Sequence, residues 1–299
     1  MIVIADKPGQ LANRLFVFAH FIAWAVEHGF SVANPSFDEY GEFFRATCRD
    51  VACRYPAKMS FIKPNNKIRS LLFALTHRAG NSLLYRAPSG RLWEATKLGD
   101  QEICELTDAR FLHLARTKKL VFVQGWLFRD HANLEKHADL VRKHFEPIQA
   151  IQDKICALVQ RFRRDCDVLV GVHIRQGDYR QHFGGKYFYS LCQYVALMQQ
   201  VRKLFPRQKV SFLISSNENQ VVEESCGLRC VYGTRQPVED LYLLAQCDYI
   251  IGPPSTYNMW ASFFGSVPLY TIEDPSAELK LDRFFRDSWR GRRQAAPER

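Results

Sequence analysis

Val168-Leu169-Val170-Gly171-Val172-His173-Ile174, followed at once by Arg175-Gln176-Gly177-Asp178-Tyr179, is the stretch that decides the fold. Its first part is apolar almost without interruption, as in a strand covered on both faces of a parallel sheet. A glycine-containing polar loop follows, then a helix over about 187–205. The alternation continues with a strand at 210–215, a short helix at 220–225, a strand at 228–231 and a helix at 238–247. It ends with a strand at Tyr249–Gly252, a helix at 256–264 and a last strand at 268–270. Strands alternating with helices imply a parallel, doubly wound sheet.

The N-terminus opens the same way. Ile2-Val3-Ile4-Ala5 reads as a short strand ending at a Lys7-Pro8-Gly9 turn. A helix follows over about Leu11–His28, with Leu15, Phe18, Ala19, Ile22 and Val26 at helical spacing and Gly29 as its stop. Residues 33–114 carry turn signals at Pro35, Pro56, Pro64 and Pro88, with short helices between them. A strand at 120–127 and a helix at 132–145, ending before Pro147, close this half. The expected organisation is an N-terminal α/β domain over 1–147, a C-terminal Rossmann-like domain over 148–275 and a basic tail over 276–299.

The 299 residues are 47% hydrophobic and 24% charged, a globular composition long enough for two domains. The longest apolar stretch, 16–26, is broken by His20 and too short to span a bilayer. The first residues lack the basic region and cleavage site of a secretory signal, so the chain reads as cytoplasmic. Nine scattered cysteines are not a disulfide framework, and Cys226 and Cys230 lack the second pair a zinc site needs. The net charge of +10 suits a phosphorylated ligand, nucleic acid or an anionic membrane surface. Arg283, Arg286, Arg290, Arg292, Arg293 and Arg299 cluster around Phe284, Phe285 and Trp289 in the tail, which suggests peripheral contact with a membrane-bound, anionic acceptor. No aromatic RNA-binding strand accompanies the charge, which argues against nucleic acid.

In a doubly wound sheet, ligands bind at the carboxyl ends of the strands. Three such ends carry polar groups here: His173 with the loop from Arg175 to Tyr179, Ser215-Ser216-Asn217-Glu218, and Pro253-Pro254-Ser255-Thr256. Ser255 and Thr256 stand where a helix begins, a place suited to an N-cap and also to a phosphate. Arg175 is a candidate for bidentate phosphate recognition. His173 alternates with it along the strand end and so can point to the same side; a hydrogen-bonded core histidine is its other reading.

The run His173-Ile174-Arg175-Gln176-Gly177-Asp178-Tyr179 resembles the His-x-Arg-Arg-x-Asp motif of the α-1,2-fucosyltransferases of glycosyltransferase family 11 and of the related α-1,6- and protein O-fucosyltransferases. Two other stretches agree in order. Gly9-Gln10-Leu11-Ala12-Asn13-Arg14-Leu15-Phe16 is similar to the family's N-terminal Gly-x-Leu-Gly-Asn-Gln-Leu-Phe. The region from Asp240 through Trp260 is similar to its last motif, and Val123-Gln124-Gly125-Trp126 fits its middle region.

The resemblance implies a GT-B fold: two Rossmann-like domains with the active site in the cleft between them. It implies an inverting transfer of L-fucose from GDP-fucose, or another GDP-deoxysugar, to an oligosaccharide or lipid-linked glycan acceptor, without a metal. Arg175 would hold the β-phosphate, and Ser255 and Thr256 would bind phosphate oxygens. His173 and Asp240 would contact the guanine end, and Gly9 and Asn13 would face the sugar and acceptor. Asp178, the motif's acid, is a candidate general base; holding the loop that carries Arg175 is its other reading. Asp6 and His182 are further candidates for the base. Gln176 stands in place of the motif's second arginine and Ala12 in place of a glycine. The Ser215-Ser216-Asn217 turn lacks the family's aspartate pair. A protein that binds a nucleotide without chemistry is the rival reading from another class.

Overall fold

The computed structural model describes residues 1–84, 91–223, 226–287 and 289. The chain divides into two compact units, Met1–Ile151 and Gln152–Arg299.

The first unit contains β1 (Ile2–Ile4), α1 (Leu11–His28), β2 (Val32–Ala33), β3 (Arg54–Tyr55), α2 (Asn66–Leu84), β4 (Trp93–Lys97), β5 (Cys104–Glu105) and α3 (Ala109–Thr117). After these come β6 (Leu120–Gln124), β7 (Phe128–Arg129), α4 (His131–Lys136) and α5 (Ala138–His144). Its main sheet has the order β3-β2-β1-β6-β4, parallel except where β3 joins β2. β5 and β7 form a separate parallel pair. The helix α1 is buried along most of its length and ends at Gly29, whose φ of 72° makes a left-handed cap. The helix expected at 132–145 is two helices. Asp130 caps the first by accepting from Asn133 N at 3.1 Å, and His137 leaves the helical conformation between them. Residues 33–114, expected to hold short helices, contain the long helix α2.

The second unit contains α6 (Gln149–Arg163), which begins at the division, then β8 (Val168–Ile174), α7 (Leu191–Leu204), β9 (Val210–Ser216) and β10 (Arg229–Tyr232). It continues with α8 (Pro237–Leu244), β11 (Tyr249–Gly252), α9 (Thr256–Gly265) and β12 (Leu269–Thr271). The sheet is wholly parallel, in the order β10-β9-β8-β11-β12. Numbered within this unit the order is 3-2-1-4-5. The chain reverses direction between β8 and β11, and in such a sheet the crevice for a ligand opens at that switch point.

Every residue of β8 is buried. Val168, Val170, Val172 and Ile174 pack with Tyr194, Leu197, Met198 and Val201 of α7. Each such side chain contributes about 1.5–3 kcal/mol of burial. The alternate residues face α8: a Cβ at Gly171 would lie 2.6 Å from Leu244. His173 continues that second face.

The helix expected from 187 starts at Leu191, because Ser190 and Gln193 form a capping box, the Ser190 N–H donating to Gln193 Oε1 at 2.8 Å. The short helix expected at 220–225 is absent at 220–223, and 224–225 lie outside the described residues. Of the basic tail, residues up to 287 and Trp289 are described. Phe285 pairs with Leu269 of β12, Phe284 packs on Tyr249 and Tyr270, and Trp289 covers Phe263. Arg290, Arg292, Arg293 and Arg299 lie outside the described residues. All nine cysteines are free thiols.

Candidate active site

At the switch point the carboxyl end of β8 delivers His173, and the loop after β11 delivers Asn258 on α9. The Asn258 Nδ2 donates to the Pro253 carbonyl at 2.7 Å, so its Oδ1 faces the imidazole. His173 Nδ1 therefore carries the proton and donates to that oxygen at 2.5 Å. The other ring nitrogen, Nε2, is left as an acceptor. Burial, with the charge of Arg175 adding to it, pushes the imidazole down to about 3. The ring packs against that of Tyr257, 4.9 Å between centroids and tilted by 35°. His173 is thus a neutral acceptor of fixed tautomer throughout the physiological range.

Arg175 follows two residues on. Its Nη2 donates to Asp178 Oδ2 at 2.8 Å, and its guanidinium lies 5.5 Å from the Tyr179 ring centroid. The Arg175 side chain is 18% exposed and that of Asp178 53%. The loop under them is tied down on several sides. Gln176 N–H donates to Asn217 at 3.1 Å, Gly177 N–H to Glu218 at 2.9 Å, and the Tyr179 hydroxyl to the Pro254 carbonyl at 2.8 Å. Gln176 itself is buried. Its Nε2 donates to the Tyr189 carbonyl and its Oε1 accepts from Gln220, both at 2.8 Å. The side chain at this motif position is spent on the loop's own structure.

Ser255 is the N-cap of α9, accepting from Tyr257 N at 3.3 Å, and Thr256 is the first helical residue. The first turn of a helix presents backbone N–H groups and the positive end of its dipole. Asp240, buried on α8, holds the loop after β10. Its Oδ1 accepts from Thr234 N at 2.6 Å and Thr234 Oγ1 at 3.0 Å, while its Oδ2 makes longer contacts, 3.3 Å to Arg235 N and 3.4 Å to Ser215 Oγ. Burial pushes its carboxyl up against these donors. The second unit thus brings His173, Arg175, Asp178, Asp240, Ser255 and Thr256 to the carboxyl edge of one sheet.

Gly9 and Asn13 belong to the first unit. Gly9 has a φ of +59°, and the Asn13 amide occupies the place a Cβ would take there. The pair acts as one element at the start of α1. Arg14 donates to Gly9 O at 3.1 Å and to Glu39 at 3.1 Å, which anchors the turn. Asp6 accepts from Lys7 N at 2.9 Å and Gly125 N at 3.2 Å, a turn-holding role. The side chain of His182 lies outside the described residues. A cavity of about 880 Å³ lies elsewhere in this unit, lined by residues including Glu94, Glu105, Asp108 and Lys118 and by none of the predicted site residues.

The family model described as glycosyl transferase family 11 matches residues 118–293, more than half of the chain. The chain belongs to this family. The match includes the stretches around Arg175 and Asp240 and excludes the loop of Gly9 and Asn13. Comparison with curated protein sequences returned no match. Among solved structures, a mutant of Arabidopsis thaliana FUT1 in complex with GDP is similar with a TM-score of 0.60 at 11% identity, covering 94% of this chain and 72% of that one. NodZ α-1,6-fucosyltransferase soaked with GDP-fucose is similar with a TM-score of 0.53 at 14% identity, covering 95% and 96%. The fucosyltransferase NodZ from Bradyrhizobium gives 0.52 at 17% identity, covering 92% and 96%. The family 11 chain therefore has the GT-B fold of these enzymes, each half built on a Rossmann-like α/β sheet.

The side chains that hold His173 and the Arg175 loop in place escaped the sequence reading of this family 11 enzyme. Asn258 looked like an ordinary helix residue, and its pairing with a histidine 85 positions away depends on β8 lying beside β11. Asn217 and Glu218 were visible as a polar strand end, but not as the acceptors that hold the Arg175 loop.

Proposed function

We propose that this enzyme transfers L-fucose from GDP-fucose to a hydroxyl of a glycan acceptor, with inversion, in α-1,2 linkage to galactose of a bacterial surface polysaccharide. The carrying observation is that the arginine loop after β8 and the helix start after β11 flank the switch point of one parallel sheet. The family match and the GDP-fucose and GDP named with the similar structures support the choice of donor.

In this reading Arg175 and the N–H groups at Ser255 and Thr256 hold the diphosphate. They stabilise the charge that develops as the bond from the sugar C1 to the β-phosphate oxygen breaks. His173 Nε2 accepts from the nucleoside. Asp240 Oδ2, with the longer contacts, is the oxygen left to accept from guanine N1 and N2. Asp178 orients Arg175. Gly9 and Asn13 are assigned to the sugar and acceptor. The acceptor hydroxyl loses its proton as it attacks C1.

Titration calorimetry with GDP, UDP and ADP tests the nucleotide, and NMR of products from GDP-fucose with galactose-terminated sugars tests linkage and anomeric configuration. GDP is expected to bind best, and turnover is expected to persist in EDTA. Equal affinity for UDP, or activity restored only by added Mn²⁺, would overturn the reading.

A further inference from the structure

Residues 51–93 contain no Asp or Glu and eight basic residues: Arg54, Lys58, Lys63, Lys67, Arg69, Arg78, Arg86 and Arg91. Two of these are used internally. Arg54 pairs with Asp50 at 2.7 Å, and buried Arg69 donates to the carbonyls of Thr47, Cys48 and Asp50. Lys58, Lys63, Lys67 and Arg78 are exposed, and none has a carboxylate partner among the described residues. The carboxylates that touch the segment are engaged: Asp50 by Arg54 and Ser60, Asp38 by Ser70 and Lys7, and Glu42 by Asn66.

The same short stretch exposes large apolar side chains. Phe61 is fully exposed, Met59 is 70% and Ile62 63% exposed, and Leu71 and Leu75 on α2 are 62% and 56% exposed. Five of the thirteen exposed large hydrophobics among the described residues fall between 59 and 75. Lys67, Leu71, Leu75 and Arg78 follow helical spacing and so share one face of α2. The loop before the helix is pinned rather than loose. Ser60 N–H donates to Arg49 O at 3.0 Å, while the Ser60 hydroxyl donates to Asp50 at 2.8 Å and accepts from Val51 N at 2.9 Å. Pinning at Ser60 holds out Met59 and Phe61, its neighbours on either side.

We propose that this loop and the exposed face of α2 dock the enzyme on an anionic lipid surface, the apolar tips entering the headgroup boundary and the lysines meeting the lipid phosphates. An apolar cluster flanked by cations is the composition that binds in the plane of such an interface. Charge complementarity decides the occupant. A second copy would bring an identical cationic patch and no acid to meet it, so a two-fold pairing through this face is repulsive. The surface is built by residues of the first unit and the donor-site residues Arg175, Asp240, Ser255 and Thr256 belong to the second, so its failure and the failure of the fucosyl-transfer reading, on which it does not depend, are separable.

Flotation of the full chain with vesicles of phosphatidylcholine alone, and of phosphatidylcholine mixed with phosphatidylglycerol, tests the proposal. Binding is expected with the mixed vesicles only and should weaken as salt is raised. Replacing Lys58, Lys63 and Lys67 by Gln should reduce partitioning on the order of a hundredfold. Replacing Met59, Phe61 and Ile62 by Ser should reduce it by at least as much, since each loses its buried apolar contribution. GDP affinity and the thermal melting profile should stay unchanged in both variants; the first reports the donor site in the second unit, and the second shows that the altered first unit is folded. The proposal is overturned if the chain floats with neither vesicle. It is also overturned if both variants bind like the parent while replacing Arg290, Arg292 and Arg293 abolishes binding, or if sedimentation velocity shows a dimer that Phe61→Ser dissociates.

Discussion

Replacing Asp178 by Asn separates two roles that the motif alone leaves open. In the structure the carboxylate is half exposed and its contact is the 2.8 Å ion pair with Arg175, three residues earlier. An exposed pair of this kind contributes about 0.2–1 kcal/mol, a factor of roughly 1.4 to 5, because solvent screens it. Arg175 has a second support in the ring of Tyr179. If Asp178 only orients the guanidinium, Asp178→Asn should change GDP affinity and turnover together, each by less than about fivefold. A general base removed from the reaction would instead cost about a hundredfold to ten-thousandfold in turnover and leave GDP binding intact.

Arg175→Ala supplies the scale for the comparison. Loss of one placed electrostatic donor typically costs about a hundredfold to a thousandfold in turnover. Arg175→Lys should recover little, since lysine keeps the charge and loses the fork. The assay is steady-state turnover with GDP-fucose beside calorimetry with GDP, on variants whose melting confirms folding. A hundredfold loss in Asp178→Asn at unchanged GDP affinity would refute the orienting role. Near-normal turnover in Arg175→Ala would remove Arg175 from the diphosphate.

Three further outcomes are expected. In Asp240→Asn the amide oxygen must stay with the two Thr234 donors, which turns the NH₂ toward the place assigned to guanine; GDP affinity should fall about 10–100-fold while UDP binding is unchanged, measured by calorimetry. Gln176→Ala strands the Tyr189 carbonyl and leaves the Gln220 amide with only its longer bond to Glu218, and should lower the melting temperature by roughly 2–10 °C, read by differential scanning fluorimetry. Burial holds His20 low, His144 down to about 4 and His173 down to about 3. The unfolded chain therefore binds more protons than the native one below pH ~6.5, and stability is full above that pH and is lost as pH falls toward the folded values. His144 packs against Phe18, Tyr55 and Phe145, so His144→Phe should remove about 1.4 kcal/mol per pH unit from that slope, measured by urea unfolding at pH 7 and pH 5.

How far the sequence could be read depended on what each element buries. β8 and α1 were legible to the residue because their buried faces are apolar and their ends carry Arg175 or Gly29. The helix α7 was placed four residues early because the signal that starts it is a side-chain box at Ser190, not a change in hydrophobicity. The helix α2 was lost because its fully buried positions are Arg69 and Gly80, while Leu71 and Leu75 face outward. Hydrophobic periodicity is blurred in a helix with apolar residues on both sides: Ile68, Leu72, Phe73 and Leu83 are half-buried while Leu71 and Leu75 face outward. The outward leucines that blur α2 in the sequence are the ones that belong to the proposed membrane-docking face. Among the candidate site residues, His173 and Arg175 were visible in the sequence as polar groups at a strand end, and the roles expected of them came from the resemblance of the motif. The partners of His173 and of the arginine loop did not, because they come from β9 and α9 through strand pairings that no local pattern encodes.

Those partners explain why an enzyme of this family can carry glutamine at position 176. The loop bearing Arg175 is clamped from three directions: Asn217 and Glu218 at the end of β9 take two of its N–H groups, Tyr179 ties it to the loop after β11, and Gln176 fastens it to the start of α7. Asn258 fastens that second loop at Pro253 and fixes the tautomer of His173 with the same amide. Electrostatic stabilisation of a departing diphosphate depends on donors that are already in place, because reorganising them during the reaction would cost what they contribute. In this chain the polar side chains around the switch point are largely committed to holding two loops still. The charge is concentrated in one guanidinium and one helix start. A second arginine at 176, aimed where Gln176 lies, would bring a charge into a buried space where the Tyr189 carbonyl could accept from it but the Gln220 amide, itself a donor there, could not. The cost of burying that charge would fall on the very loop that has to stay fixed.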